Sequence, residues 1–136
     1  MKISTRGRYA TQAILDIAQQ SKTGKPVSIR TIASRQGLSE DYLEQLLNKL
    51  KKAHLITRVR GKIGGYLLAR APFLISVKEV LEASGEELAP VYCLKNSTQC
   101  AKSASCPPRQ CWQELYNEIN NVLSKKTIAD LIDSHG

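Results

Sequence analysis

Four cysteines carry the most conspicuous chemistry in the sequence. Cys93, Cys100, Cys106 and Cys111 are separated by six, five and four residues. Thiolates bind zinc and iron–sulfur clusters, and accessible thiols cycle between reduced and oxidised states. The spacing is neither the paired Cys-x-x-Cys of a zinc ribbon nor the tight run of a bacterial ferredoxin. Three thiolates spread along an irregular segment can still be folded around one metal centre. On spacing alone an iron–sulfur cluster, a zinc site and a thiol redox switch stand level, with free thiols as the remaining reading. The histidines His54 and His135 add no catalytic or ligand pattern. His54 falls at a predicted helix end, where the helix dipole favours it.

The second chemistry is positive charge. The 136-residue chain has a net charge of +8, and its first 70 residues hold 14 Lys/Arg against 4 Asp/Glu. The remainder holds 6 against 8. A basic half joined to a mildly acidic one points to phosphate binding by the first and a separate task for the second. The start of the chain lacks the continuous apolar core of a signal peptide, and no apolar run approaches the ~20 residues of a membrane span. The expected location is the cytoplasm, where thiols stay reduced and serve as ligands or sensors rather than disulfides.

The elements that position these groups follow from periodicity and caps. Ser4 or Thr5 opens a helix to about Ser21, with Tyr9, Ala10, Ala13, Ile14, Ile17 and Ala18 on its apolar face. Arg6 and Arg8 in its first turn oppose the dipole, which suits either a bound phosphate or plain solvation. Ser28 caps a short helix that stops at Gly37. Ser39 caps a second, with Leu43, Leu46, Leu47 and Leu50 inward. Two helices joined by a tight glycine-containing turn form a helix-turn-helix. Leu55 to Val59 and Tyr66 to Ala69 are β-type runs around Arg60-Gly61-Lys62-Ile63-Gly64-Gly65, a hairpin with Arg58, Arg60 and Lys62 about its tip. Glycines 61, 64 and 65 are expected to supply positive φ there.

A helix-turn-helix followed by a basic hairpin is a winged helix, whose second helix lies in a DNA major groove. On that helix Ser39 can touch a phosphate, Tyr42 a thymine methyl or phosphate, Glu44 a cytosine amino group and Gln45 an adenine. Arg60 can reach a minor groove, while Lys49, Lys51 and Lys52 suit phosphates or solvent.

Beyond Pro72, Ser76 and Glu79 form a capping box for a helix closed by Gly85. Residues 86–106 show no periodicity, and a loop that long is usually functional or disordered. Pro107-Pro108 opens a long helix with Trp112, Leu115, Ile119 and Val122 or Leu123 in one stripe. Helix-turn-helix regulators read paired half-sites, so this stripe is expected to make a homodimer. Thr127 and Asp130 recap a final segment. The expected fold is mainly α with a small β-hairpin wing. It divides into a winged helix-turn-helix domain at 1–85, a cysteine loop at 86–106, and a dimerisation helix with a terminal segment at 107–136. A regular helix from Pro107 would turn Cys111 about 140° from Cys106, but Arg109 only about 60°.

The chain resembles the Rrf-two family of bacterial winged-helix transcriptional regulators, whose iron–sulfur-sensing branch is the IscR type. The likeness rests on Met1 to Ala10, Pro26-Val27-Ser28, Ile32-Ala33, Ser39, Tyr42 to Leu46, Val59-Arg60-Gly61, Gly64-Gly65-Tyr66, the three loop cysteines and Trp112. The resemblance implies a homodimer on a roughly palindromic double-stranded DNA operator. It also implies a cluster held by Cys93, Cys100 and Cys106, 2Fe-2S before 4Fe-4S, whose state alters DNA affinity. Tyr42, Glu44 and Arg60 align with DNA-contacting positions. The function it implies is a non-enzymatic regulator, a repressor sensing iron–sulfur status. Alternatives are a nitric-oxide- or redox-sensing or zinc-stabilised regulator of the same fold, or, in another class, a thiol redox or iron–sulfur carrier.

Two family ligands are replaced. The histidine three residues after the third cysteine is Arg109 here, and the first-helix carboxylate of nitric-oxide sensors is Arg8. Cys111, or a non-thiol group elsewhere such as one from the partner subunit, is left as the fourth ligand.

Overall fold

The computed structural model describes residues 2–90 and 107–134. Its centre is α1, Thr5–Gln20, which packs against most of the other elements. Ser4 caps it, the hydroxyl oxygen accepting the Gly7 N–H at 3.2 Å. Ala10, Ala13, Ile14, Ile17 and Ala18 are buried, and the alanines let neighbouring elements approach closely. Asp16 is buried with them. Arg35 Nη1 and Gln36 Nε2 donate to its two carboxylate oxygens at 3.1 and 2.9 Å, tying α1 to the end of α2, Ile29–Gln36. Charge-assisted bonds of this kind contribute about 1.5–3 kcal/mol, and the exposure of Arg35 puts this pair at the lower end.

Ser28 and Ser39 cap α2 and α3, Glu40–Lys52, by accepting the N–H groups of Thr31 and Tyr42. Between the helices Gly37 adopts φ 66°, a left-handed turn that a glycine makes without strain. Leu43, Leu47 and Leu50 are buried in the core that α1 and α2 share, and Leu46 is buried as well. His54 stands at the end of α3, as expected. His54 has φ 62°. Its N–H meets the Lys51 carbonyl, and the Leu55 N–H meets that of Leu50. This is a Schellman ending with histidine where glycine is usual.

β1, Ile56–Val59, and β2, Gly65–Leu68, pair antiparallel, with Ile56 opposite Leu68 and Val59 opposite Gly65. β1 starts one residue later than the periodicity indicates, and β2 keeps its expected length but is shifted one residue toward the N-terminus. The other edge of β2 is paired too: Val27 and Tyr66 exchange two backbone hydrogen bonds of 3.0 and 2.8 Å. The wing is thereby stitched to the segment leading into α2.

A 3-10 turn, Pro72–Leu74, leads to α4, Val77–Ala83, with the expected capping box. Burial raises the pKa of Glu79, but hydrogen bonds from Ser76 and Arg70 outweigh it and hold the carboxyl below its ordinary value. Its stabilising contribution is therefore present above the ordinary carboxyl range and lost as pH falls through the lowered value. α5, Pro107–Lys125, packs on α4, yet none of its 19 residues is buried. Thr127 and Asp130 form a second capping box for α6, Ile128–Asp133. Ile128 and Ile132 return to the core beside α1.

Candidate nucleic-acid interface and cysteine segment

The apolar stripe of α3 is fully used by the core, which orients the rest of the helix outward. At ~100° per residue, Asp41, Gln45, Asn48 and Lys52 lie opposite the leucines, with Tyr42 and Glu44 at the flanks. Glu44 and Gln45 are exposed and Tyr42 is half-buried. Ser39 is exposed at the cap, its oxygen accepting the Tyr42 N–H at 3.2 Å. Glu40 and Asp41 suit the positive end of the helix dipole, and Lys49, Lys51 and Lys52 its negative end.

The wing packs beside this helix through β1. Burial raises the Tyr66 phenol pKa, the Arg58 charge opposes that rise, and Glu44 adds to it. A strand cation and an α3 carboxylate thus act on one buried ring. Arg58, Arg60 and Lys62 are exposed, and none pairs with a carboxylate among the described residues. At the tip the Gly64 N–H bonds the Gly61 carbonyl at 3.1 Å, placing Lys62 and Ile63 at the corner.

The expectation of three positive-φ glycines is corrected here. Only Gly61, at φ 124°, has one. Gly64 and Gly65 are required by crowding: a Cβ would lie 2.7 Å from the Val59 carbonyl oxygen at the first and 2.4 Å from that of Val27 at the second.

Four features were not read from the sequence. Lys25 and Lys62 line one cleft between the wing and α2, brought together by the Val27–Tyr66 pairing. Arg6 donates to the Gly85 carbonyl at 3.2 Å, an internal use besides phosphate or solvent. Tyr9, assigned to the apolar face, is half-buried and packs edge-on against Tyr42. Asn48, on the outer face of α3, was detectable by its helical spacing from Gln45.

Cys93, Cys100 and Cys106 lie outside the described residues. Cys111 is an exposed free thiol on α5. Among the described residues no three His, Cys, Asp or Glu side chains are grouped to hold a metal. The predicted stripe on α5 is open, with Trp112, Leu115 and Val122 exposed at 40%, 44% and 60%. No described helix is long and apolar enough to cross a membrane.

The model of the family described as "Rrf2: Iron-dependent Transcriptional regulator" matches residues 3–134. The HTH-type transcriptional regulator IscR of Enterobacter sp. strain 638 is 37% identical over 98% of this chain and 81% of that protein. The solved structure of T. potens IscR superposes with a TM-score of 0.80 at 38% identity, covering all of this chain and 89% of that one. CymR, the global cysteine regulator of B. subtilis, gives 0.81 at 31% identity, with 98% of each chain covered. These relatives are named as regulators, not enzymes, and the exposed helix and wing are the parts with which such proteins meet DNA. The chain belongs to the Rrf2 family of winged-helix transcriptional regulators.

Proposed function

We propose that this regulator is a homodimeric repressor whose operator affinity is set by an iron–sulfur cluster held by Cys93, Cys100 and Cys106. The cysteine trio carries the reading: it supplies the soft thiolate donors that such clusters take. Similarity to IscR supports it, and a reducing cytoplasm keeps the thiols available. When bound, the cluster supplies a redox-sensitive centre whose gain or loss biases the DNA-binding half. The protein purified without oxygen is expected to be coloured and to contain iron and acid-labile sulfide. A colourless protein containing zinc overturns the sensing mechanism while leaving DNA binding intact.

Ser39, Tyr42, Glu44 and Gln45 face the major groove in this reading, and Arg58, Arg60 and Lys62 the backbone and minor groove. Arg60→Ala is expected to weaken binding to an operator selected from random duplexes about tenfold. Lys51→Ala weakens all sequences evenly and lowers the salt dependence. Parent-like operator binding by Arg60→Ala refutes the wing assignment.

The partner's α5 covers the open stripe. Beside it Ile3, Leu88, Ile119, Val122 and Leu123 line an apolar groove of about 340 Å³. Trp112→Ala combined with Ile119→Ala is expected to give monomers in light scattering and to weaken operator binding. A parent that is monomeric at micromolar concentration contradicts the dimer.

A further inference from the structure

We propose that Tyr9 is a positioning residue for DNA reading, acting through Tyr42; this rests on the assignment of α3 as the recognition helix. The two ring centroids are 6.3 Å apart with an interplanar angle of 86°, the edge-to-face arrangement that aromatic pairs favour. Tyr42 stands in the first turn of α3, at the flank of its outward face. Its backbone N–H is committed to the Ser39 cap. Among the described residues its hydroxyl has no hydrogen-bond partner, so the ring is held from one side and its polar end is left for an external group. A tyrosine so placed meets a thymine methyl with its ring or a phosphate with its hydroxyl.

The helix carrying Tyr9 is itself fixed at that end. Both carboxylate oxygens of Glu86 accept the Ser4 N–H at 3.1 Å, and the Ser4 hydroxyl also donates to Glu86. Arg6 reaches the Gly85 carbonyl. A Cβ at residue 7 would lie 2.7 Å from Glu86 Oε2, so glycine there admits the carboxylate. Tyr9 follows two residues later on a clamped turn. It presents Tyr42 to DNA in one orientation, and the entropy of ordering that ring is lost on folding instead of on binding. Tyr9 thereby contributes to specificity without touching the operator.

The test measures fluorescence anisotropy with an operator selected by the parent and with a scrambled duplex, at one salt concentration. Tyr9→Leu is expected to lose about three- to tenfold in operator affinity, the range of an aromatic pair, and about twofold or less on the scrambled duplex. Tyr9→Phe keeps the ring and restores the parent ratio. In a Tyr42→Ala background, Tyr9→Leu changes the ratio no further. Tyr9→Met, whose flexible side chain fills the same space, carries the same expectation if Tyr9→Leu unfolds in circular dichroism. Equal losses on both duplexes, or an undiminished loss in the Tyr42→Ala background, overturn the proposal. A parent that does not prefer its operator overturns the recognition-helix assignment itself.

Discussion

Gly65→Ala is expected to detach the wing from the body of the domain and to lower its stability by about 3 kcal/mol. The added methyl would sit 2.4 Å from the Val27 oxygen, 2.5 Å from its carbonyl carbon and 2.9 Å from the Ser28 nitrogen. All three are backbone atoms, so no side-chain rotation relieves the contact. Separation breaks the two Val27–Tyr66 hydrogen bonds, each contributing about 1 kcal/mol, and opens the buried Val27 and Tyr66 to water. Gly37→Ala is the control. It has open space but φ 66°, and its cost is the backbone strain of about 1–2 kcal/mol alone. Urea unfolding followed by circular dichroism ranks the two. If Gly65→Ala unfolds no more easily than Gly37→Ala, the wing is not anchored through Val27. Since Arg58, Arg60 and Lys62 ride on this hairpin, operator binding is expected to fall to the scrambled-duplex level before the domain unfolds.

That contact marks where sequence reading stopped. The caps at Ser28, Ser39, Ser76 and Thr127 were legible because each is satisfied within three residues, so local spacing specifies the bond. The α3 leucines were legible because one-sided burial imprints helical periodicity, and α5 carries the same periodicity although its stripe is open. The Val27–Tyr66 pairing left no such imprint: it joins segments on either side of the helix-turn-helix and uses only backbone atoms. The glycines at 64 and 65 were recognised as special, but crowding and positive φ select the same residue type. Sequence cannot separate them without the neighbouring chain. Tyr9 and Glu86 have the same character, because their partners, Tyr42 and Ser4, are set by packing across α1. An apolar stripe, likewise, says that α5 is to be covered and not by what.

Serine at position 93, 100 or 106 is expected to abolish iron content and visible absorbance after anaerobic reconstitution, whereas Cys111→Ser keeps both. Serine preserves size and removes a soft ligand that is readily deprotonated, so the substitution probes ligation with little change in packing. The prediction for Cys111 follows from α5, which runs without interruption from Pro107. Arg109 occupies the position where the IscR-like pattern places its histidine ligand. On a regular helix the two steps from Arg109 to Cys111 turn about 200°, so a group that faces one is behind the other. Arg109 is half-buried and Cys111 exposed, as opposed faces require. Under the proposed function, a cluster on the Arg109 side of α5 would take its fourth ligand from a non-thiol group and leave Cys111 outside. Iron and sulfide analysis of the four variants, each checked for fold by circular dichroism, decides the point. Loss of the cluster in a folded Cys111→Ser protein would make the site an all-cysteine one. Retention of iron in any of the other three would remove that residue from the ligand set.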